Sequence, residues 1–479
     1  MIKQPGLYKR RTKIVCTIGP ASGSSQVIER LLRTGMNVAR LNLSHGSYDV
    51  HSGYIIKIRA ASRRLGIPVA IMMDISGPKY RTGKLKEGQV FLRKGARITI
   101  TTEDIEGNAE LISVNLPNLT EDVKAGDTIL LDDGALQLRV LGKDSGSIKC
   151  RVTVGGVLTE NRGLVVPGMR SSVPFITESL RMQLLFAIKE NVDYLAVSFV
   201  SSAEDISGVI KILRENRADI PVITKIERVQ AVKNFDSILA ASDGIMVARG
   251  DLGVDIPLER VPLVQKEIIH KCNRAGKPVI TATQMLESMV NAARPTRAEV
   301  TDISNAIFDG TDAIMLSAET SIGKYPVAAV RTMSKIALET ERVLAHEDML
   351  EEKEKWIERK TDELISYSAC HTAQSLGAVA VVAFTKSGST ARRVSKYRPR
   401  VPILAITPID TVHRRLLLHW GIYPFQIAET SAIEDYFSIA AGLARDTGIA
   451  RPGNLIVITG GVPVGVTGST NLLKVEEVK

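Results

Sequence analysis

From Thr12 onward, short β-branched apolar runs alternate with amphipathic helical stretches, and this alternation constrains the chain more than any other feature. The runs at Lys13–Thr17, Asn37–Leu41, Val69–Met73, Tyr194–Phe199, Val222–Lys225, Gly244–Ala248, Pro278–Ala282 and Ala313–Leu316 predict strands. Helices such as 258–274 and 297–308 are expected between or after them. Strand-then-helix repetition is the mark of a parallel α/β fold, and eight units are what a closed (β/α)8 TIM barrel requires.

One unit is interrupted. After Met73-Asp74 the next helix is not expected until about Thr177. The intervening stretch has short strands and turn residues, among them Glu87-Gly88, Ala125-Gly126-Asp127 and Asp132-Asp133-Gly134. It predicts a small all-β insertion, a β-barrel lid over 79–174 on a βα loop, where it rims the catalytic mouth. The barrel proper is then 1–78 and 175–349. Past the charged stretch Glu351-Glu352-Lys353-Glu354-Lys355, new strands are expected at 379–384, 403–406 and 455–459. They predict a C-terminal α/β domain over 350–479 with a small parallel sheet. A length of 479 residues accommodates three such units.

Barrel chemistry sits at the carboxyl ends of the strands. Val222-Ile223-Thr224-Lys225-Ile226-Glu227 ends in two charges at i and i+2, which share one face of a strand. Alone, such a pair reads as a surface ion pair. Other strand ends change that reading: Arg40, Asn42 and Ser44, then His45; Asp74; Ser198; Asp251; Thr281, Thr283 and Gln284; Ser317 and Glu319. Glu227 and Asp251 suit a divalent ion that keeps waters and grips phosphate oxygens, as Mg²⁺ does. Lys225 is placed to stabilise charge on a phosphoryl group or enolate, and Arg40 offers a fork for phosphate. Thr283 is a candidate for orienting a water or proton. Gly250 and Gly253 let backbone approach a ligand, and Gly250-Asp251 is expected to open a helix whose amides hold a carboxylate. Ser198, Ser317 and Thr281 also read as structural hydroxyls, and His45 as a packing or capping residue.

Charge and composition exclude several classes. The formal charge is +10, but the basic clusters Lys9-Arg10-Arg11, Arg63-Arg64, Arg392-Arg393 and Arg414-Arg415 are short and not interleaved with aromatics. That argues for anionic metabolites rather than nucleic acid. No apolar run approaches the roughly 18 residues of a membrane span. The start, Met-Ile-Lys-Gln-Pro, has no apolar signal core, and Cys16, Cys150, Cys272 and Cys370 have no metal or redox spacing. A cytoplasmic protein is expected.

At this point the sequence resembles pyruvate kinase. The resemblance runs from Thr12-Lys13-Ile14-Val15-Cys16-Thr17-Ile18-Gly19-Pro20 to Gly468-Ser469-Thr470-Asn471. Its specific motifs are Arg40-Leu41-Asn42-Leu43-Ser44-His45-Gly46, Lys225-Ile226-Glu227, Ala248-Arg249-Gly250-Asp251-Leu252-Gly253, Ala282-Thr283-Gln284-Met285-Leu286 and Pro295-Thr296-Arg297-Ala298-Glu299. The resemblance implies transfer of the phosphoryl group of phosphoenolpyruvate to ADP, the closing step of glycolysis, giving pyruvate and ATP. It implies Mg²⁺ (or Mn²⁺) on Glu227 and Asp251, and Lys225 stabilising the phosphoryl and enolate. It places Thr283 and the Gly250-Asp251 amides on the carboxylate, Thr283 in the protonation route and Arg40 on the phosphate. Arg81, Arg162, Asn42 and His45 would meet the nucleotide. The assembly would be a homotetramer.

The chain departs from the family at Asp74-Ile75-Ser76-Gly77-Pro78-Lys79-Tyr80-Arg81-Thr82-Gly83, where many members read Asp-Thr-Lys-Gly-Pro-Glu-Ile-Arg-Thr-Gly. In those members Asn, Ser, Asp and Thr hold an activating K⁺. Here Asn42, Ser44 and Asp74 remain, while Ile75 offers only a backbone carbonyl and Lys79 replaces the glutamate. An ammonium reaching this pocket would repel a monovalent ion by several kcal/mol at about 4 Å and intermediate dielectric. K⁺-independent catalysis is expected, unless Lys79 points to solvent. Arg162-Gly163-Leu164-Val165 stands where others have Lys-Gly-Val-Asn. In the last domain Thr385-Lys386-Ser387-Gly388-Ser389-Thr390 joins strand to helix. Such a junction cradles phosphate, and the family uses it for a phosphorylated allosteric effector; the bland reading is a helix cap. Two rival functions stay open here: a metal-dependent aldolase or lyase, and a catalytically silent metabolite sensor.

Overall fold

The structure, a computed structural model, describes residues 10–116, 118–169, 171–428, 433–463 and 470–479; Lys9, Gly468 and Ser469 of the motifs above lie outside the described residues. All eight barrel strands are present: β1 Lys13–Thr17, β2 Val38–Asn42, β3 Ala70–Ile75, β4 Tyr194–Val197, β5 Val222–Ile226, β6 Gly244–Ala248, β7 Val279–Ala282 and β8 Ala313–Leu316. They run parallel and close into a barrel, with β1 paired to both β2 and β8.

The two-residue period of a strand sorts the side chains into two cores. Val15, Val38, Met72, Ala196, Ile223, Met246, Ile280 and Met315 fill the barrel interior. Their neighbours Ile14, Cys16, Ala39, Ile71, Leu195, Val222 and Ile314 pack against the helices outside. Two positions further along the inward set come Thr17, Arg40, Asp74, Ser198 and Lys225. The next inward layer at the carboxyl end is therefore polar, and the site is an extension of the core's own pattern.

The helices begin where the chain signals them. Thr177 caps Glu178–Lys189 by accepting from the Leu180 amide, and Thr296 with Glu299 forms a capping box on Arg297–Phe308. The stretch read as one helix over 258–274 is a 3₁₀ turn, Leu258–Arg260, followed by a helix at Val261–Ala275. Pro262, with no amide hydrogen, fits only the first turn, so the helix begins there.

The insertion is all-β apart from single turns. Its strands between Tyr80 and Val165 make a seven-stranded sheet, and Gln89–Leu92 pairs with Gly156–Thr159 as a separate ribbon. Both pack on one core of their own that includes Leu92, Ile98, Ile129, Leu138 and Leu158. Hydrogen bonding among the described residues thus makes a sheet plus a ribbon rather than a closed ring. The Gly168 amide donates to Asp255 at 3.0 Å, tying the insertion to the barrel mouth.

The C-terminal sheet contains β9 Ala380–Phe384, β10 Ile403–Thr407, β11 Ile422–Gln426, β12 Leu455–Gly461 and β13 Thr470–Glu477, in the order β11-β10-β9-β12-β13. The first four are parallel as expected, and β13 adds an antiparallel edge to β12. β11 escaped the sequence reading because Pro424 interrupts it, which only an edge position tolerates. Among the described residues, no helix is long and apolar enough to cross a membrane.

Candidate active site

Lys225 lies at the centre of the polar layer. Its ammonium donates to Ser198 Oγ at 2.6 Å and lies 3.4 Å from Asp74 Oδ1 and 2.8 Å from Glu227 Oε1. Burial alone would drive this lysine toward neutrality, but Asp74 and Glu227 outweigh it and hold its pKa above the ordinary lysine value. It is a permanent cation at neutral pH, suited to stabilising negative charge and unsuited to giving up a proton.

Asp74 is committed on both oxygens. Oδ2 accepts from Arg40 Nε and pairs with Nη2, each at 2.8 Å, and Oδ1 accepts from Ser198 Oγ at 3.2 Å beside Lys225. Burial pushes its carboxyl up, yet Lys225 and Arg40 together bring it below the usual range. Arg40 Nη1 also donates to Thr17 Oγ1 at 2.8 Å.

Glu227 is different. Only 1 % of it is exposed. Oε2 accepts from the Phe199 amide at 2.7 Å, whereas Oε1, although close to Lys225, lacks the angle of a directed hydrogen bond. Burial raises its pKa, Lys225 offsets part of that, and the nearby Asp251 adds to it. A buried carboxylate with an uncommitted lone pair and an acidic neighbour is short of positive charge. Glu227 and Asp251 therefore fit a divalent cation that takes its remaining ligands from water and substrate. Among the described residues no group of three or more His, Cys, Asp or Glu is arranged to hold a metal alone, so the protein's share is this pair.

Lys79 does not reach the expected monovalent-cation pocket. Its ammonium sits 3.0 Å from Asp251 Oδ1 and 5.1 Å from the Phe199 ring centroid. The reason is electrostatic: Asp74 is already neutralised by two cations, while Asp251 has none closer. It does not point to solvent either, with 17 % of its side chain exposed. A Cβ on Gly163 would lie 2.9 Å from Lys79 Cε, so the glycine keeps the path of this side chain open. Of the other pocket residues, Ile75 is fully buried and its carbonyl accepts the Ser198 amide at 3.1 Å. Asn42 Oδ1 accepts the Ser44 amide at 3.2 Å, and Ser44 Oγ is 2.6 Å from Ser76 Oγ.

Thr283 follows β7 with φ +70°, and Gln284 with φ +56°. Its hydroxyl accepts from the Gly250 amide at 2.8 Å and donates to Ala282 O at 2.6 Å. The helix predicted at Gly250-Asp251 is real, Arg249–Asp255. Its Gly250 amide is engaged by Thr283 rather than free for a carboxylate.

The residues read as nucleotide contacts stand at the rim. His45 is exposed, and partial burial, then Arg81 and Arg40, lower its pKa. Arg81 lies opposite Gly163 in the insertion, its Nη1 donating to Asn161 O at 3.1 Å. Arg162 Nη1 pairs with Asp132 at 3.4 Å. The expected effector loop lies in another domain: Gly388, φ +84°, precedes the helix Ser389–Lys396, and Thr385 Oγ1 is buried without a partner.

Two contributors were not singled out from sequence. Arg249 binds the Thr283 turn, and its place in Ala248-Arg249-Gly250-Asp251 was the available signal. Gly77 lies where a Cβ would come within 2.3 Å of Ser198 O, so only glycine fits there.

Comparison with known proteins gives a consistent result. Residues 9–330 match the family profile described as pyruvate kinase, barrel domain, and residues 363–476 match pyruvate kinase, alpha/beta domain. A pyruvate kinase of Geobacillus stearothermophilus is 48 % identical over 473 residues, 98 % of this chain and 81 % of that protein. One from Staphylococcus aureus is 46 % identical over 471 residues, 98 % and 80 % of the two chains. A crystal structure of a pyruvate kinase from Cryptosporidium parvum superposes with a TM-score of 0.94 at 37 % identity, covering 99 % of this chain and 97 % of the other.

Proposed function

The chain belongs to the pyruvate kinase family, and from that premise we propose that it transfers the phosphoryl group of phosphoenolpyruvate to ADP without needing a monovalent cation. The phosphotransferase activity is that of the family; the residue roles and cation independence are our reading. The observation that carries it is the full commitment of Asp74 to Arg40 and Lys225. With Ile75 in place of a hydroxyl, the pocket has little negative charge left for K⁺, while Lys79 supplies a fixed positive charge in the mouth.

In this reading Lys225 holds the transferring phosphoryl group and then the enolate oxygen, staying protonated throughout. Arg40 uses its remaining N–H groups for phosphate. The Thr283 hydroxyl, held by the Gly250 amide and Ala282 O, belongs to the route that protonates the enolate. Asn42, His45, Arg81 and Arg162 face the nucleotide. Glu227 and Asp251 would hold Mg²⁺ or Mn²⁺, which when bound neutralises phosphate charge.

The finer parts of the reading are regulation, assembly, domain limits and location. Thr385 Oγ1, buried and unpartnered, supports a phosphorylated effector at 385–390. Self-association as a homotetramer is carried over from the family resemblance alone. The limits 1–78 with 175–349, 79–174 and 350–479, and a cytoplasmic setting, belong to the same proposal. The test is pyruvate release from phosphoenolpyruvate and ADP with Mg²⁺, in K⁺ and in tetramethylammonium salts. Equal turnover supports cation independence, and turnover confined to K⁺ rejects it.

A further inference from the structure

Both chain crossings between the barrel and the insertion meet one short helix, Arg249–Asp255. On the way out, Lys79 reaches Asp251 at 3.0 Å. On the way back, the strand Gly163–Val165 runs into the turn Val166-Pro167-Gly168-Met169, closed by the Met169 amide on Val166 O at 3.1 Å. Proline second and glycine third, here with φ +75°, suit a type II turn. The Gly168 amide donates to Asp255 Oδ1 at 3.0 Å. Asp251 and Asp255 stand four residues apart, so both crossings dock on one face of the helix.

The other oxygen of Asp255 faces the barrel. Oδ2 accepts the Val229 amide at 2.6 Å. Val229 opens the helix Val229–Lys233, and Arg228 before it has no side-chain acceptor to offer that amide. Val229 also lies two residues after Glu227. The Asp255 carboxylate therefore braces the helix that carries Asp251 against the segment that carries Glu227. Gln230 completes the arrangement, its Nε2 donating to Gly168 O at 3.2 Å. Both polar groups of Gly168 are thus held by barrel side chains, one from each segment that bears a metal carboxylate.

We propose that Asp255 is a positioning residue for phosphoryl transfer, setting the separation of Glu227 and Asp251 and the seating of the insertion through one carboxylate. This rests on the reading of Glu227 and Asp251 as the divalent-ion pair. Bonds from an ionised acceptor are short and strong, which suits a brace. A helix cap alone would need only the Val229 bond, and the Gly168 bond has no part in capping. The insertion carries Arg81 and Arg162, so a shift at its exit turn moves them relative to the barrel mouth. Gln230 shares only the part that seats the insertion.

The experiment uses the full chain with two readouts: calorimetric titration of the substrate-free protein with MgCl₂, and steady-state kinetics. Asp255→Ala is expected to weaken Mg²⁺ binding roughly tenfold, as loss of an outer support of metal ligands does. It should also raise the KM for ADP roughly tenfold through misplacement of the insertion. Asp255→Asn keeps one acceptor oxygen and should fall between Asp255→Ala and the wild type. Gln230→Ala loses one neutral hydrogen bond and should raise the KM for ADP about threefold, with Mg²⁺ affinity within about twofold of the wild type. Should Asp255→Ala fail to fold, Asp255→Asn and Gln230→Ala decide. Glu227→Gln separates two kinds of failure. If it leaves Mg²⁺ affinity unchanged, the metal assignment falls and this inference with it. If it abolishes Mg²⁺ binding while the Asp255 variants keep wild-type affinity and KM, whatever their melting temperatures, the metal assignment stands and Asp255 is a helix cap alone.

Discussion

Arg249 Nη2 donates to the backbone carbonyl of Thr283 at 2.7 Å, and its Nε reaches Ala282 O at 3.3 Å. Asp302 holds the other end of the guanidinium at 2.7 Å. Thr283 is β-branched and sits in the left-handed region, a conformation that costs on the order of 1–3 kcal/mol and needs surrounding structure to hold it. Arg249 supplies that restraint, so it positions the Thr283 hydroxyl without standing over the substrate.

Arg249→Lys keeps the charge and loses the fork. Turnover is expected to fall by about one to two orders of magnitude, as misplacement of a reacting group does. The KM for ADP should stay near the wild-type value, since the side chain of Arg249 bonds to Gln265, Ala282, Thr283, Met285 and Asp302 and to none of the nucleotide residues. Steady-state kinetics beside a thermal scan checks this. A variant with unchanged kcat would show that the turn holds itself.

Lys225 carries a second test because it neutralises two buried acids. Lys225→Ala should reduce turnover on the order of a thousandfold through loss of charge stabilisation. It should also destabilise the barrel by about 3–5 kcal/mol, since Asp74 and Glu227 lose a buried partner. Adding Glu227→Gln, which removes the acid whose ion pair is with Lys225 while Asp74 keeps Arg40, should recover part of the melting temperature and none of the activity. If the double variant melts no higher than the single one, the charge argument fails.

Much of this is legible in the sequence alone. Hydrophobic periodicity located all eight strands, because buried parallel strands read as continuous apolar runs. The same two-residue period carried Arg40, Asp74, Ser198 and Lys225 into one layer. The partner of Lys79 was not legible: a sequence shows that an ammonium replaces a carboxylate, but not which of several acids it reaches. Arg249 was hidden for a related reason, since its role depends on the backbone torsion of a residue thirty-odd positions away. β11 was missed because its proline is tolerated only by a sheet edge, which is a fact of topology.

The Lys79–Asp251 pair makes a prediction about metal binding without substrates. The ammonium occupies an oxygen that a divalent ion would use, so it competes with that ion. Lys79→Met should tighten Mg²⁺ binding to the substrate-free chain by roughly fivefold, the worth of a partly exposed pair at about 1 kcal/mol. Calorimetric titration with MgCl₂ reads this directly. Identical affinities would mean that the pair is not formed in solution.

His346 sets a pH dependence far from the site. Nδ1 lies 3.2 Å from Arg398 O, placing the proton on that nitrogen, while Nε2 is buried with no partner. Burial, then the positive charges of Arg11, Arg400 and Lys353, outweigh that hydrogen bond and push the imidazole down to about 4. In the unfolded chain it titrates near 6.5. Between those values the unfolded state binds a proton that the folded state refuses. The stabilisation from neutral His346 is therefore fully present above about pH 6.5 and is lost as pH falls to about 4. The window spans roughly 2.5 pH units, on the order of 3 kcal/mol. His346→Asn retains a donor for Arg398 O and removes the titration. Its melting temperature should drop less between pH 7.5 and pH 5 than that of the wild type. Parallel pH profiles would assign the acid sensitivity to other groups, beginning with the buried His419, whose pKa burial also lowers well below its ordinary value.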